Sequence, residues 1–147
     1  MTLGAPAVTA VQADDVKPTI VNPQTLYDPT PNGYSTAVLT PRGARVAYIS
    51  GQGGQDAQGG LAPDFAGQVD HAYANLRAAL EGVGAKPGQV VKLTTYVVDH
   101  DMSKLGVLTA AVKKMFGATL PAQTLVPVPK LAVDGMLFEV EAVAVVE

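Results

Sequence analysis

The run FEVEAVAVV, residues 138–146, sets Glu139 and Glu141 two residues apart in an otherwise apolar stretch. Side chains alternate along a strand, so both carboxylates project from one face, about 7 Å apart. Enclosed by apolar neighbours, one of them would serve as a proton carrier or water activator. At a wet rim, the pair would instead meet lysine or arginine in a structural ion pair. A second polar position lies in LPAQTLVPVPKL, residues 120–131, where the neutral amide Gln123 sits between Pro121-Ala122 and Thr124. Ser50 closes a strand, but no histidine is placed by the sequence to activate it, so hydrogen bonding to a ligand or backbone fits it better than nucleophilic attack. Tyr34, after Asn32-Gly33, suits core packing or ligand contact equally. His71 and His100 each stand alone, without a second ligand at metal spacing, and read as structural or solvated.

Composition narrows the chemistry further. The 147 residues fit one domain able to bury its own core, and 48% apolar with 16% charged residues is a globular balance. The absence of cysteine removes disulfides, thiolate nucleophiles and Cys-based metal sites together. A net charge of −3 with the basic residues dispersed disfavours a nucleic-acid face. No apolar run approaches the ~20 residues that span a bilayer. The first 13 residues carry a small-x-small step, Val11-Gln12-Ala13, but no basic leader and only a broken apolar stretch. Residues 1–19 therefore read as a tail, with an export-signal remnant as the alternative, and the expected location is cytoplasmic or, on that alternative, periplasmic.

Elements must position these groups. Thr19–Asn22 reads as a short strand, and residues 23–33 as loop. Ser35–Leu39 and Arg45–Ser50 are β-rich and flank Thr40-Pro41-Arg42-Gly43, a hairpin signal. The Gly-rich run 50–60 lacks the Lys-Ser/Thr of a phosphate loop and reads as a connection whose backbone approaches something near Gly51. Phe65, Val69, Ala72, Leu76, Leu80 and Val83 recur at helical spacing, with Pro63-Asp64 to start the helix and Gly82 and Gly84 to stop it. Gln89–Asp99 is β-branched and strand-like. A second helix runs from about Met102 to Phe116 on the stripe Leu105, Leu108, Val112, Met115 and Phe116, capped by Asp101 and stopped by Gly117. Strands at Gln123–Val128 and Met136–Val146 complete the order β-β-β-α-β-α-β-β. The last strand is apolar on both sides, and two helices cannot cover both faces of a sheet, so the pattern implies an oligomer that packs sheets together.

These segments in this order resemble the RidA family, also called YjgF, UK-type or L-PSP-like proteins. The resemblance runs from about Val21 to Val145. It rests on Gly33-Tyr34, Ser50-Gly51-Gln52, LEGVGAKPGQVVKLTTYVVD, DMSKLGVL, Leu120-Pro121-Ala122 and the closing FEVEAVAV. It implies an α/β (α+β) protomer of chorismate-mutase-like fold over residues 20–147. Such a protomer has a mixed β-sheet with two helices on one face, and it forms a trimer with a central β-barrel and clefts between subunits. It also implies hydrolysis of 2-imino or enamine acids to 2-oxo acids and ammonia, with no metal and no cofactor. Carried onto this chain, Tyr34 and Ser50-Gly51 line the cleft, Glu139 orients or activates water, and the backbone near Leu125 helps to hold the ligand. A cleft-facing helix asparagine of the family corresponds, across a short gap, to Thr109.

One position departs from that pattern. The family's active deaminases place an arginine after Pro-Ala to clamp the substrate carboxylate, and this chain has Gln123 there. A guanidinium is a charged, planar two-pronged donor, whereas Gln offers one neutral amide. Hydrogen bonds to charged groups are worth roughly 1.5–3 kcal/mol, so carboxylate binding falls by about 10- to 100-fold or more unless Arg42, Arg45 or Lys130 of a neighbouring subunit restores the charge. The expected function is accordingly a RidA-like hydrolase of a small imine, enamine or related C–N metabolite with altered substrate range. The rivals are a non-catalytic trimeric metabolite-binding module and, more weakly, an endoribonuclease or translation inhibitor, which the charge pattern opposes. The expected partner is a small-molecule ligand, with neither nucleic acid nor membrane.

Overall fold

The computed structural model describes residues 17–147, so the expectations for the first 16 residues, including the export-signal alternative, lie outside the described residues. Six strands and two helices follow one another as β1 (Thr19–Val21), β2 (Ala37–Leu39), β3 (Arg45–Gly53), α1 (Phe65–Gly82), β4 (Val90–Val98), α2 (Leu105–Phe116), β5 (Ala122–Val128) and β6 (Phe138–Val146). β3, β6, β4 and β5 form a mixed sheet in that spatial order, with β4–β5 parallel and the other pairs antiparallel. Both helices pack on the same face of this sheet.

The predicted periodicity of α1 is the face that packs. Val69, Ala72, Leu76 and Leu80 are buried against Leu93, Val97, Val140, Ala142 and Ala144 of the sheet. Asp64 caps the helix, its Oδ1 accepting from the Gly67 N–H at 2.7 Å, and Gly84, at φ +73°, follows its end. Val83, assigned to the stripe by spacing, stays 44% exposed because the helix has already ended. α2 buries Leu108, Val112, Met115 and Phe116. A 3₁₀ turn at Met102–Lys104 precedes it, capped by Asp101.

The hairpin expected across Thr40–Gly43 does not form. The turn exists, with Ala44 N donating to Pro41 O at 3.4 Å and Gly43 at φ +80°. Its two strands go to different sheets: β2 pairs with β1, and β3 pairs with β6. β6 offers β3 a long apolar partner, and that long-range pairing overrides the local turn signal. The second face of β6 is also covered differently than expected. Val145 is wholly buried with Val91, packed by Val38 and Ala44, so part of that cover comes from the small β1–β2 sheet. The remainder stays open, with Tyr48 81% and Val46 45% exposed.

Gln68 ties α1 to β6. It is 2% exposed, yet every polar atom of its amide is paired. Nε2 donates to Ala62 O at 3.1 Å and Gly135 O at 2.9 Å, while Oε1 accepts from the Leu137 N–H at 2.8 Å. Gln68→Leu keeps the volume but removes the side-chain partner of three backbone groups, those of Ala62 and Leu137 half-buried and that of Gly135 exposed. At about 1–3 kcal/mol per orphaned group, partly relieved by relaxation, a loss of about 2–4 kcal/mol is expected in urea unfolding.

Candidate active site in two halves

The sheet separates the residues singled out by sequence into two groups. On the helix side, Tyr34, Thr109, Gln123 and Leu125 line one cavity of about 570 Å³ together with Asn32, Met102, Leu105, Leu108 and Thr124. Gln123 is aligned with Leu93, and Leu125 with Thr95, so both share the face on which the helices pack. The floor is closed by the segment leading to β2. Ser35, buried, donates from Oγ to Leu120 O at 2.5 Å and from N to Pro121 O at 2.9 Å, which locks Tyr34 beside the start of β5. Gly33 makes this approach possible: at φ +83° it turns the chain against Thr109, whose Oγ1 donates to Asn32 O at 3.2 Å. The Tyr34 ring is held edge-on by Tyr27 at 6.4 Å between centroids.

Among the described residues, no cationic or anionic side chain lines this cavity. Lys113 donates to Pro31 O at 2.9 Å and Lys104 to Val98 O at 2.9 Å, while Lys92 donates at 2.6 Å to Oγ1 of Thr124, a residue of the cavity wall. Gln123 Oε1 is buried and has no hydrogen-bond partner. A buried amide oxygen without a donor is an uncompensated cost that a donor from a ligand would relieve.

The second half lies on the opposite face. Glu139 is aligned with Tyr96 and Gly53, and Glu141 with Thr94. β3 carries a bulge here: Ile49 pairs with Ala142 and Gln52 with Val140, so Ser50 and Gly51 together oppose Glu141. Bulges bend a strand and re-aim its side chains. This one brings Gly51 against the Glu139 carboxylate, where an added Cβ would collide with Oε1. The approach anticipated near Gly51 is therefore that of a carboxylate. Ser50 lies beside Tyr48, Lys92, Thr94 and Glu141 around a depression of about 250 Å³. Tyr96 Oη donates to Glu141 Oε1 at 3.2 Å. Desolvation, then the Glu141 charge and its hydrogen bond, then the Glu139 charge, hold the phenol above its ordinary value of 10.0.

The two histidines lie apart from both groups. His71 Nδ1 lies 3.2 Å from Gly54 O, and Asn75 Nδ2 donates to Gly53 O at 2.9 Å and Gln55 O at 2.8 Å, so α1 fastens the Gly-rich run by its carbonyls. His100 Nδ1 is buried without a partner. Among the described residues no group of three His, Cys, Asp or Glu side chains could hold a metal ion, and no helix is long and apolar enough to cross a membrane. Asn32, Met102 and Thr124 carry little sequence signal as cavity residues. Of the helix stripe, Leu108 is in the core and also reaches the cavity, while Leu105 lines the cavity half-buried. The one usable signal was Met102, apolar yet at a helix entrance, and it is 78% exposed.

A mixed four-stranded sheet with two helices on one face, carboxylates on the other and a neutral cavity at the β5 edge defines an α+β protomer of the YjgF type. The family model described as Endoribonuclease L-PSP matches residues 27–146, and the chain belongs to this family, the RidA/YjgF proteins. Among curated relatives, the 2-iminobutanoate/2-iminopropanoate deaminase of Salmonella typhimurium is 35% identical over 88 residues, covering 59% of this chain and 68% of the relative. A RutC family protein of Pyrococcus horikoshii is 32% identical over 120 residues, covering 79% and 90%. Among solved structures, a Rid-family protein of unknown function from Yersinia pestis superposes with a TM-score of 0.85 at 35% identity, covering 88% of this chain and 99% of that one.

Two outcomes follow from the carboxylate face. Gly51→Ala should swing the Glu139 carboxylate aside, because only the flexible end of that side chain blocks the new methyl. Carbon NMR of the Glu139 carboxyl should report the move, with stability changed by less than about 1 kcal/mol. Tyr96→Phe should remove a contribution to stability that is fully present below the ordinary phenol value and lost as pH rises through the raised one. The stability difference between wild type and Tyr96→Phe should therefore shrink above pH 10.0 in unfolding curves taken across alkaline pH.

Proposed function

We propose that this protein is a RidA-like hydrolase of a small imine, enamine or related C–N metabolite, with a substrate range altered by Gln123. The observation that carries the reading is the cavity at β5: it occupies the place where the family resemblance puts a carboxylate clamp, and it holds an amide and no cation. Relatives named 2-iminobutanoate/2-iminopropanoate deaminase at 35% identity support the reaction class. In this reading water adds to the imine carbon while Glu139 takes its proton. The proton passes to nitrogen to give a carbinolamine; its hydroxyl proton then moves to nitrogen by way of Glu139 as the C–N bond breaks, C=O forms and ammonia leaves. Neither step calls for a redox partner.

The reading includes a homotrimer. Gln123 and Glu139 lie on opposite faces of one sheet, with β5 at one edge and the Ser50–Gly51 bulge of β3 at the other. A site using both needs the β5 edge of one copy against the β3–β6 face of the next. The exposed Val46 and Tyr48 supply an apolar surface for that contact. Light scattering should give three times the 15.1 kDa chain mass, and Tyr48→Asp should lower it.

The activity is tested by generating 2-imino acids and neutral imines in situ and following ammonia release. Wild type should accelerate release from neutral imines, and Glu139→Gln should lower that rate by about 100-fold or more. Gln123→Arg should raise the rate on imino acids by about 10- to 100-fold. No acceleration on any imine sinks the hydrolase and leaves a metabolite-binding module.

A further inference from the structure

We infer that the β5 cavity selects a ligand bearing a neutral primary carboxamide next to a short apolar side chain, so that the substrate class is the amide of a 2-imino acid rather than the acid. This rests on the reading above that the cavity is the substrate site.

Hydrogen-bond chemistry leads to the headgroup. Gln123 presents an amide whose Oε1 is buried without a donor. An ionised carboxylate has acceptors only, so it can meet the Gln123 NH₂ but sets its own lone pairs against those of Oε1. A carboxamide has both kinds of group. Once the Gln123 amide turns to bring the buried Oε1 to the cavity, the ligand NH₂ donates to Oε1 and its C=O accepts from Nε2, which closes a paired ring of hydrogen bonds. Thr109 Oγ1 and the Tyr34 phenol at the same cavity are neutral as well. Charge gives the same answer. Among the described residues of one chain no cation lines the cavity: Lys104 and Lys113 donate to backbone carbonyls, and Lys92 reaches it only through the hydroxyl of Thr124, so a carboxylate would be desolvated without a direct counter-charge from this chain.

The walls describe the rest of the ligand. Leu105, Leu108 and Leu125 form an apolar side, and Met102, largely exposed, stands at the rim with an adaptable thioether side chain. This surface suits a side chain of a few carbons. With such a substrate the reaction balances as R–C(=NH)–C(=O)NH₂ plus water giving R–C(=O)–C(=O)NH₂ plus ammonia. The C=N bond is replaced by C=O, the amide is untouched, and no co-reactant is consumed.

The test compares two unreactive probes of the same shape, 2-hydroxybutanamide and 2-hydroxybutanoate, by calorimetry on the full chain. Wild type should bind the amide at least about 10-fold more tightly. Gln123→Arg should reverse that preference, and Gln123→Leu, which keeps the volume without the hydrogen bonds, should abolish it. Equal affinities in wild type, tighter binding of the carboxylate, or a preference untouched by both substitutions would overturn the inference. Amide preference without any imine hydrolysis would leave the ligand preference standing and overturn both the hydrolase reading and the assignment of an imino-acid amide as substrate. Hydrolysis of imines without amide preference would overturn the inference and leave the hydrolase reading standing.

Discussion

Strand β6 must be a core strand on one face and a chemical strand on the other, and the rest of the molecule is arranged around that demand. Phe138, Val140, Ala142 and Ala144 are almost wholly buried beneath the helices. Glu139 and Glu141 alternate with them and face away. A slip of one residue in register would drive both carboxylates into the core, so the pairing with β3 and β4 is strongly determined. Gln68 holds the approach to the strand through Leu137, and the β3 bulge, opposite Glu141, lets Gly51 come close to Glu139. Scaffold and carboxylate placement are therefore one problem.

The other half of the chemistry is organised by absence of charge. The cavity beside β5 is walled by α2 and by the segment held through Ser35, and its polar groups are amide, hydroxyl and phenol. A guanidinium there would organise any anion that entered. A Gln carries no charge and offers only hydrogen-bond complementarity, which is weaker per contact but more selective between isosteres that differ in donors and acceptors. The carboxylates lie on the far face of the sheet, so the negative charge and the neutral cavity belong to different surfaces of one protomer.

Much of the architecture was legible because it is written in local periodicity and punctuation. The stripe from Val69 to Leu80, the caps at Asp64 and Asp101, and the alternation along residues 138–146 each report a nearby environment. The β2–β3 hairpin misled because its turn is real while its pairing is decided by a partner about a hundred residues away in sequence. The clamps made by Gln68, His71 and Asn75 were illegible for a related reason: polar residues on a helix look solvated until the loop that needs their hydrogen bonds is folded over them. Leu105 was read as core because helical spacing gives the side of a helix, not what lies opposite it, and opposite it lies a cavity.

By itself, the sequence determined the element order, the family, the alternation that sets Glu139 and Glu141 apart from the core, and the neutral amide of Gln123 after Pro121-Ala122. These follow from residue identity and short-range spacing. Only the tertiary structure decided that Gly51 lies against Glu139, that Tyr34, Thr109 and Gln123 share one uncharged cavity, and that this cavity and the carboxylates fall on opposite faces of the sheet. Those are relations between strands that meet through the register of β6 and the bulge in β3, and register is a property of the paired sheet rather than of any one segment of the chain.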